Sequence, residues 1–171
     1  MSSDEGDRTR SVRVPASHIA VGERAPVFSL PAVDTEGAEL KVDVARAWGE
    51  GPVLLIFYQD DGMPVCTREL QAFAQEHSRL VKAGVTTFGI NTNGLGSHRK
   101  FQERDHFPFP LISDFYADTV KEYGFWDPDE RKSSRAVVII AEGGRVSHVE
   151  PHFNPGNINA FEEVFRALSL F

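Results

Sequence analysis

The chain has 171 residues, 41% of them hydrophobic and 25% charged, which suits one globular domain with room for a sizeable core. Its formal net charge of −7 speaks against sequence-independent binding to nucleic acid or docking on anionic membranes, both of which need an excess of Lys and Arg. No apolar run approaches the roughly 20 residues that span a bilayer. The opening MSSDEGDRTRSVRV lacks the apolar stretch of a secretory signal, and a cytoplasmic location is expected. Residues 1–17 are polar and are expected to form a flexible segment, leaving 18–171 as the single domain.

Residues 27–30 and 39–42 flank a turn at Asp34-Thr35-Glu36-Gly37 and predict a β-hairpin. A short helix over residues 44–48 is closed by Gly49 and Gly51. Residues 53–58 (VLLIFY) are continuously apolar, as suits a central strand buried on both faces. A loop follows, and from residue 65 a helical pattern runs to 83, with Gly84 as its stop. Residues 85–91 (VTTFGIN) form the next strand, and Ser97 is expected to cap a helix through about His106. The segment PFPLIS is a short extended stretch. Asp114 is expected to cap a helix that ends at Gly124.

The stretch WDPDERKSS is polar and rich in turn formers. Arg135 opens the strand AVVIIA, whose hairpin partner is VSHVEP across the turn EGGR. Asn157 or Asn159 caps a last helix with Ile158, Phe161, Val164, Phe165 and Leu168 on one face. Strands and helices in this order predict an α/β domain, a mixed central sheet flanked by helices with an N-terminal hairpin.

The chain has one cysteine, which rules out an internal disulfide and a cysteine-based zinc site and fits a reducing compartment. Cys66 falls after the carboxyl end of the central strand, in the first turn of a helix. Open α/β sheets bind ligands at the carboxyl ends of their strands. The unpaired N–H groups and partial positive charge of a helix start favour a thiolate, so the thiol is expected to be more acidic than usual. A lone cysteine is also commonly just a small buried hydrophobe, and these observations leave both readings open.

Four blocks carry a wider resemblance: VGERAPVFSLPAVDTEG, VLLIFYQDDGMPVCTREL, HRKFQERDHFPFPLISDFYADTVKEYG and SRAVVIIAEGGRV. In order and spacing they resemble the peroxiredoxins (the AhpC/TSA family), most nearly the Q-type or bacterioferritin-comigratory branch, from about Val21 to the carboxyl terminus. The resemblance implies a thioredoxin-like fold with an amino-terminal extension and thiol-dependent reduction of peroxides. It makes Cys66 the peroxidatic cysteine, Arg135 the arginine beside its thiolate and Glu69 the acid that holds that arginine. A thiolate attacks one peroxide oxygen and becomes a sulfenic acid. The fork of donors on an arginine suits the thiolate, the peroxide and the leaving oxygen together.

Two positions depart from the family pattern P-x-x-x-T-x-x-C. Gln59 stands at the proline and Met63 at the threonine. In the family the threonine hydroxyl orients peroxide and sulfur, whereas a thioether accepts weakly and donates nothing. Met63 therefore joins Cys66, Arg135 and Glu69 as a candidate site residue. Where many Q-type proteins carry a resolving cysteine, five residues on, this chain has Gln71. The resemblance thus implies a one-cysteine cycle resolved by an external thiol: thioredoxin, a glutaredoxin-like protein or a small thiol. The expected partners are that reductant and a peroxide, with no nucleic acid, membrane, cofactor or metal, and the chain is expected to be a monomer or homodimer. The alternatives are a non-enzymatic redox sensor or binding protein on a degenerate peroxiredoxin scaffold, and a structural protein with an inert thiol.

Other signals are weaker. His148, Glu150 and His152 alternate onto one strand face, but a complete metal-ligand set is not in view. Asn93-Gly94-Leu95-Gly96 lacks the third glycine of a dinucleotide fingerprint, where Arg99 stands, and reads as a loop. Phe125, Trp126 and Phe153 suit either an exposed dimerisation patch or the core.

Overall fold

The computed structural model describes residues 17–170. The expected flexible segment at residues 1–17 lies outside them but for its last residue. The VLLIFY run forms β3 (Val53–Phe57), a strand with no exposed residue. Its side chains alternate between two cores: Val53, Leu55 and Phe57 enter one, and Leu54, Ile56 and the following Tyr58 the other. β8 (Ala136–Ile140) divides in the same way, with Ala136, Val138 and Ile140 against Val137 and Ile139. An unbroken apolar strand is the mark of a sheet covered on both faces.

The hairpin of β1 (Ser29–Val33) and β2 (Glu39–Asp43) opens the fold and leads into α1 (Val44–Trp48), whose first N–H groups are capped by Asp43. After β3 come α2 (Pro64–Gln75), α3 (His77–Lys82), β4 (Thr86–Asn91), α4 (Leu95–Asp105), β5 (Leu111–Ser113) and α5 (Asp118–Tyr123). A small ribbon of β6 (Trp126–Asp127) and β7 (Lys132–Ser133) sits within the turn-rich stretch. β8 then pairs with β9 (Val146–Pro151), and α6 (Ile158–Ala167) follows, capped by Asn157. The seven-stranded sheet has the order β2-β1-β5-β4-β3-β8-β9. β3, β4 and β5 run parallel, and β1, β2, β8 and β9 complete the mixed sheet in antiparallel pairs. Val44 and Trp48 of α1 and Val120 and Tyr123 of α5 cover one face. Leu70 and Phe73 of α2, Leu80 of α3, Phe101 of α4 and Val164 and Phe165 of α6 cover the other. Each such apolar side chain fully buried stabilises the fold by about 1.5–3 kcal/mol.

Several expectations need correction. The helix expected over residues 65–83 breaks at Glu76 (φ −101°, ψ 9°), whose N–H bonds back to the Phe73 carbonyl at 3.1 Å in a tightened turn. Gly94, not Ser97, stands at the start of α4. α5 begins at Asp118 after Ala117 (φ 64°), four residues beyond Asp114, yet the Asp114 carboxylate still accepts the Val120 N–H at 2.7 Å and serves as a remote cap. Of the two readings left open for Phe125 and Phe153, the core one holds, since both are buried.

Candidate active site around Cys66

β3 delivers the chain to a short loop, residues 59–63, and Pro64 at the first position of α2 starts the next helix. Cys66 is the third residue of α2 and has no solvent exposure. Its sulfur accepts the Gln59 N–H at 3.4 Å, and its S–H points to the Met63 Sδ at 3.8 Å. Met63 is the residue before the helix, and its side chain makes no capping bond.

Arg135 precedes β8, and β8 runs antiparallel to β3 with Ala136 opposite Phe57. The beginning of β8 therefore meets the end of β3 at one edge of the sheet. A strictly parallel neighbour would have carried Arg135 to the opposite edge. Arg135 donates through Nη1 to Gln59 Oε1 at 2.8 Å and through Nε to the Phe153 carbonyl at 3.3 Å. Gln59 thus touches both groups, the sulfur with its main chain and the guanidinium with its side chain.

Glu69 lies one turn after Cys66, fully buried, and neither carboxyl oxygen has a hydrogen-bond partner. The expected Glu69–Arg135 pairing is not formed: Gln59 and the Phe153 carbonyl hold the arginine instead. Burial pushes the Glu69 carboxyl well above the usual carboxylate range, and the Arg135 charge draws it back only in part. The acidified thiol is overturned as well. Burial pushes the Cys66 thiol up, and Glu69 adds to it only where its own carboxyl is ionised. The N–H groups of Asp60 and Gln59 and the Arg135 charge pull the other way without prevailing.

The structure brings Cys66, Met63 and Arg135 around one loop, with Glu69 close by on α2. It also reveals supports that sequence reasoning missed. Gln59 was visible only as a departure from a pattern. Its signal was a polar side chain directly after a buried strand, at the edge where Arg135 enters. Asp61 is the other. Its carboxylate accepts from Tyr58 Oη at 2.8 Å, Ser97 Oγ at 2.7 Å and Asn91 Nδ2 at 3.2 Å, and it pairs with His98 Nδ1 at 2.7 Å. Its own N–H donates to Asn93 Oδ1 at 2.8 Å, and His98 Nε2 faces the Ile112 carbonyl at 3.0 Å. Burial alone would raise the Asp61 carboxyl, but these donors and His98 outweigh it and hold it below its usual range. Lys132 of β7 pairs with Asp60. Gly89 of β4 leaves room for the Tyr58 ring, since a Cβ there would come within 3.3 Å of Tyr58 and 2.9 Å of Leu111. The loop is therefore pinned from β4, α4, β7 and the start of β8.

His148 and Glu150 approach to 3.4 Å on β9. Among the described residues no three His, Cys, Asp or Glu side chains gather as metal ligands, and no helix is long and apolar enough to cross a membrane.

Comparison with known proteins bears on the family and the fold. The profile of the AhpC/TSA family matches residues 21–149. A Coxiella burnetii protein named as peroxiredoxin bcp is 34% identical over 139 residues, covering 78% of this chain and 89% of that protein. The chloroplastic peroxiredoxin Q of Oryza sativa subsp. japonica is 31% identical over 112 residues, 66% of this chain and 49% of that protein, so the match spans about half of the rice protein. Among solved structures, the reduced 2-Cys peroxiredoxin of Plasmodium vivax superposes with a TM-score of 0.79 at 25% identity, covering 88% of this chain and 81% of that one. Peroxidoxin BcpB from Mycobacterium tuberculosis shares the fold, with a TM-score of 0.76 at 23% identity over 89% of this chain and 97% of that one.

Proposed function

The chain belongs to the AhpC/TSA family, the peroxiredoxins, and from that membership we propose that it is a thiol-dependent peroxidase with Cys66 as nucleophile. The observation that supports this most is the shared role of Gln59, which places a main-chain donor on the sulfur and anchors Arg135 beside it. Once deprotonated, Cys66 attacks the nearer peroxide oxygen. The O–O bond breaks, the sulfur keeps one oxygen as a sulfenic acid, and the other leaves with a proton as water or alcohol. Arg135 offers its donors to the charge that develops on the leaving oxygen. Glu69, buried on the same helix as Cys66 with no hydrogen-bond partner, leaves the arginine to Gln59 and the Phe153 carbonyl. Met63 supplies a thioether where a hydroxyl would help orient the peroxide.

With one cysteine in the chain, an external thiol attacks the sulfenic sulfur, releasing water and forming a mixed disulfide that a second thiol opens. We read residues 18–171 as the one domain that does this, as a monomer or homodimer in the cytoplasm, served by thioredoxin, a glutaredoxin-like protein or a small thiol. The burial of Cys66 and its raised thiol also favour a second reading, a slow redox sensor.

Steady-state consumption of hydrogen peroxide and cumene hydroperoxide, with each class of reductant in turn, separates the two. Turnover with at least one thiol is expected, together with a sulfenic acid on Cys66 trapped by a cyclic 1,3-diketone and read by mass spectrometry. Stoichiometric oxidation without turnover by any reductant establishes the sensor. Absence of peroxide consumption together with absence of any diketone adduct on Cys66, in the native protein and in Met63→Leu, rejects both.

A further inference from the structure

We propose that Met63 is an internal acceptor for the oxygen that a peroxide leaves on Cys66, which makes the thioether a site of sulfoxide modification. The proposal rests on the peroxidase reading of Cys66. The two sulfurs are 3.8 Å apart, close to van der Waals contact. The spacing is built into the backbone, since Met63 is the N-cap of α2 and Cys66 its third residue, so the two side chains share one helix face. The Met63 carbonyl accepts the Thr67 N–H at 2.8 Å and the Thr67 Oγ1 at 3.0 Å, which fixes that residue's main chain. Its side chain makes no capping bond and is partly exposed, whereas Cys66 is fully covered. With no second cysteine in the chain, the thioether is the soft nucleophile that the structure places against the reacting sulfur.

The chemistry balances as follows. On the sulfenic acid of Cys66, the Met63 sulfur attacks the cysteine sulfur. An S–S bond forms as the S–O bond breaks, and hydroxide leaves. Hydroxide then adds to the methionine sulfur, the S–S bond breaks, and its electron pair returns to Cys66 as a thiolate. One proton is released and Met63 keeps the oxygen as sulfoxide. Met63 loses two electrons, and Cys66, oxidised by the peroxide, regains them. The thiolate is recovered before further peroxide can drive it to the irreversible sulfinic acid. The sulfoxide turns an apolar neighbour of the thiolate into a polar one and persists until a sulfoxide reductase removes it.

The test treats the full-length protein with one equivalent of hydrogen peroxide, without reductant, and maps oxygen by peptide mass spectrometry. The chain has two methionines, so Met1 serves as internal control. The expected result is sulfoxide at Met63 at least tenfold above Met1, with Cys66 recovered as an alkylatable thiol. In Cys66→Ser, oxidation of Met63 should fall at least tenfold, to the level of Met1. In Met63→Leu the oxygen should remain on Cys66 as a diketone-trappable sulfenic acid. Sulfenic acid on native Cys66 with Met63 unoxidised overturns the proposal, as does equal Met63 oxidation in native and Cys66→Ser protein. Absence of any oxidation of Cys66 in Met63→Leu is a different outcome: it overturns the peroxidase reading itself.

Discussion

A guanidinium steadies a thiolate only when its plane is fixed, because its donors point in set directions. At Arg135 the plane is fixed by Gln59 Oε1 and the Phe153 carbonyl. Burial works against the anion and prevails, so the pH midpoint for Cys66 alkylation should lie above the ordinary cysteine value of about 8.5. Reaction with peroxide should accelerate as pH rises toward that midpoint, since the thiolate is the reacting form. Arg135→Ala should move the midpoint higher and slow the peroxide reaction at least tenfold. Arg135→Lys should restore part of it, as a point charge without the fork. Gln59→Leu keeps the N–H on sulfur but leaves the arginine only the Phe153 carbonyl, and its effect should fall between native and Arg135→Ala. An alkylation profile unchanged in Arg135→Ala would remove Arg135 from the site. Met63 raises a separate question. Loss of an oxyanion donor costs about 2.7–4 kcal/mol of transition-state stabilisation, and a neutral hydroxyl in a partly open site should matter less. Met63→Thr should therefore speed the reaction with hydrogen peroxide and narrow a native preference for alkyl hydroperoxides, whose apolar group packs on the thioether. Competition between hydrogen peroxide and cumene hydroperoxide measures this, and unchanged or lower rates for both would show that the methionine is adapted to its place.

Among the elements, the helix starts carry the clearest consequences. The residues that close α5 are not beside it in sequence: Asp114 reaches forward to the Val120 N–H and is only 1% exposed. Burial raises its carboxyl to about 6, from 3.8, against the pull of the Val120 and Thr119 N–H groups. Between about pH 4 and pH 6 the folded protein therefore holds a proton that the unfolded chain has released. That stabilisation is complete below about pH 4 and is lost as pH rises through about 6, on the order of 2–3 kcal/mol in all. Asp114→Asn should flatten the fall in denaturant midpoint between pH 4 and pH 6.5. Glu69 and Glu122 shift in the same direction, so the curve should flatten without becoming level. A slope as steep in the variant as in the native protein would assign the effect to those groups. The same helix starts show where local sequence stops being informative. Ser97 has the chemistry of a cap, but its hydroxyl is taken by Asp61, 36 residues away, and Gly94 holds the cap position instead. Periodicity set the existence and kind of α2 and α6. It did not show the break at Glu76, where a tightened turn interrupts an otherwise continuous pattern.

For the molecule as a whole, the mixed sheet, its hairpin and its two covered faces were readable from the runs VLLIFY and AVVIIA and from the alternation of strands and helices. The place of Cys66 after a strand end left a reactive and an inert reading open, and Arg135 was singled out only through the family resemblance. The direction of β8 was not readable, and it is this antiparallel course that brings Arg135 to the loop. Nor were the clamp by Gln59 and the cluster around Asp61, which depend on partners dozens of residues apart, or the solitary Glu69 carboxyl, whose acceptors the folded sheet leaves unmet. Cys66 is itself a member of the core that Leu70, Phe73 and Phe153 help to build. An oxygen added to that sulfur has to be accommodated among close-packed atoms, where one extra group typically costs about 1–3 kcal/mol. Peroxide-treated Met63→Leu protein, in which the oxygen stays on Cys66, should therefore melt roughly 2–4 °C lower for each kcal/mol lost. Equal melting temperatures for its oxidised and reduced forms would show that the pocket expands without strain. Folding and oxidation are two edges of one thermodynamic cycle. The stability that an oxygen removes from the folded chain returns as a bias toward shedding it, so that close packing itself acts as a reducing influence on the sulfur it surrounds.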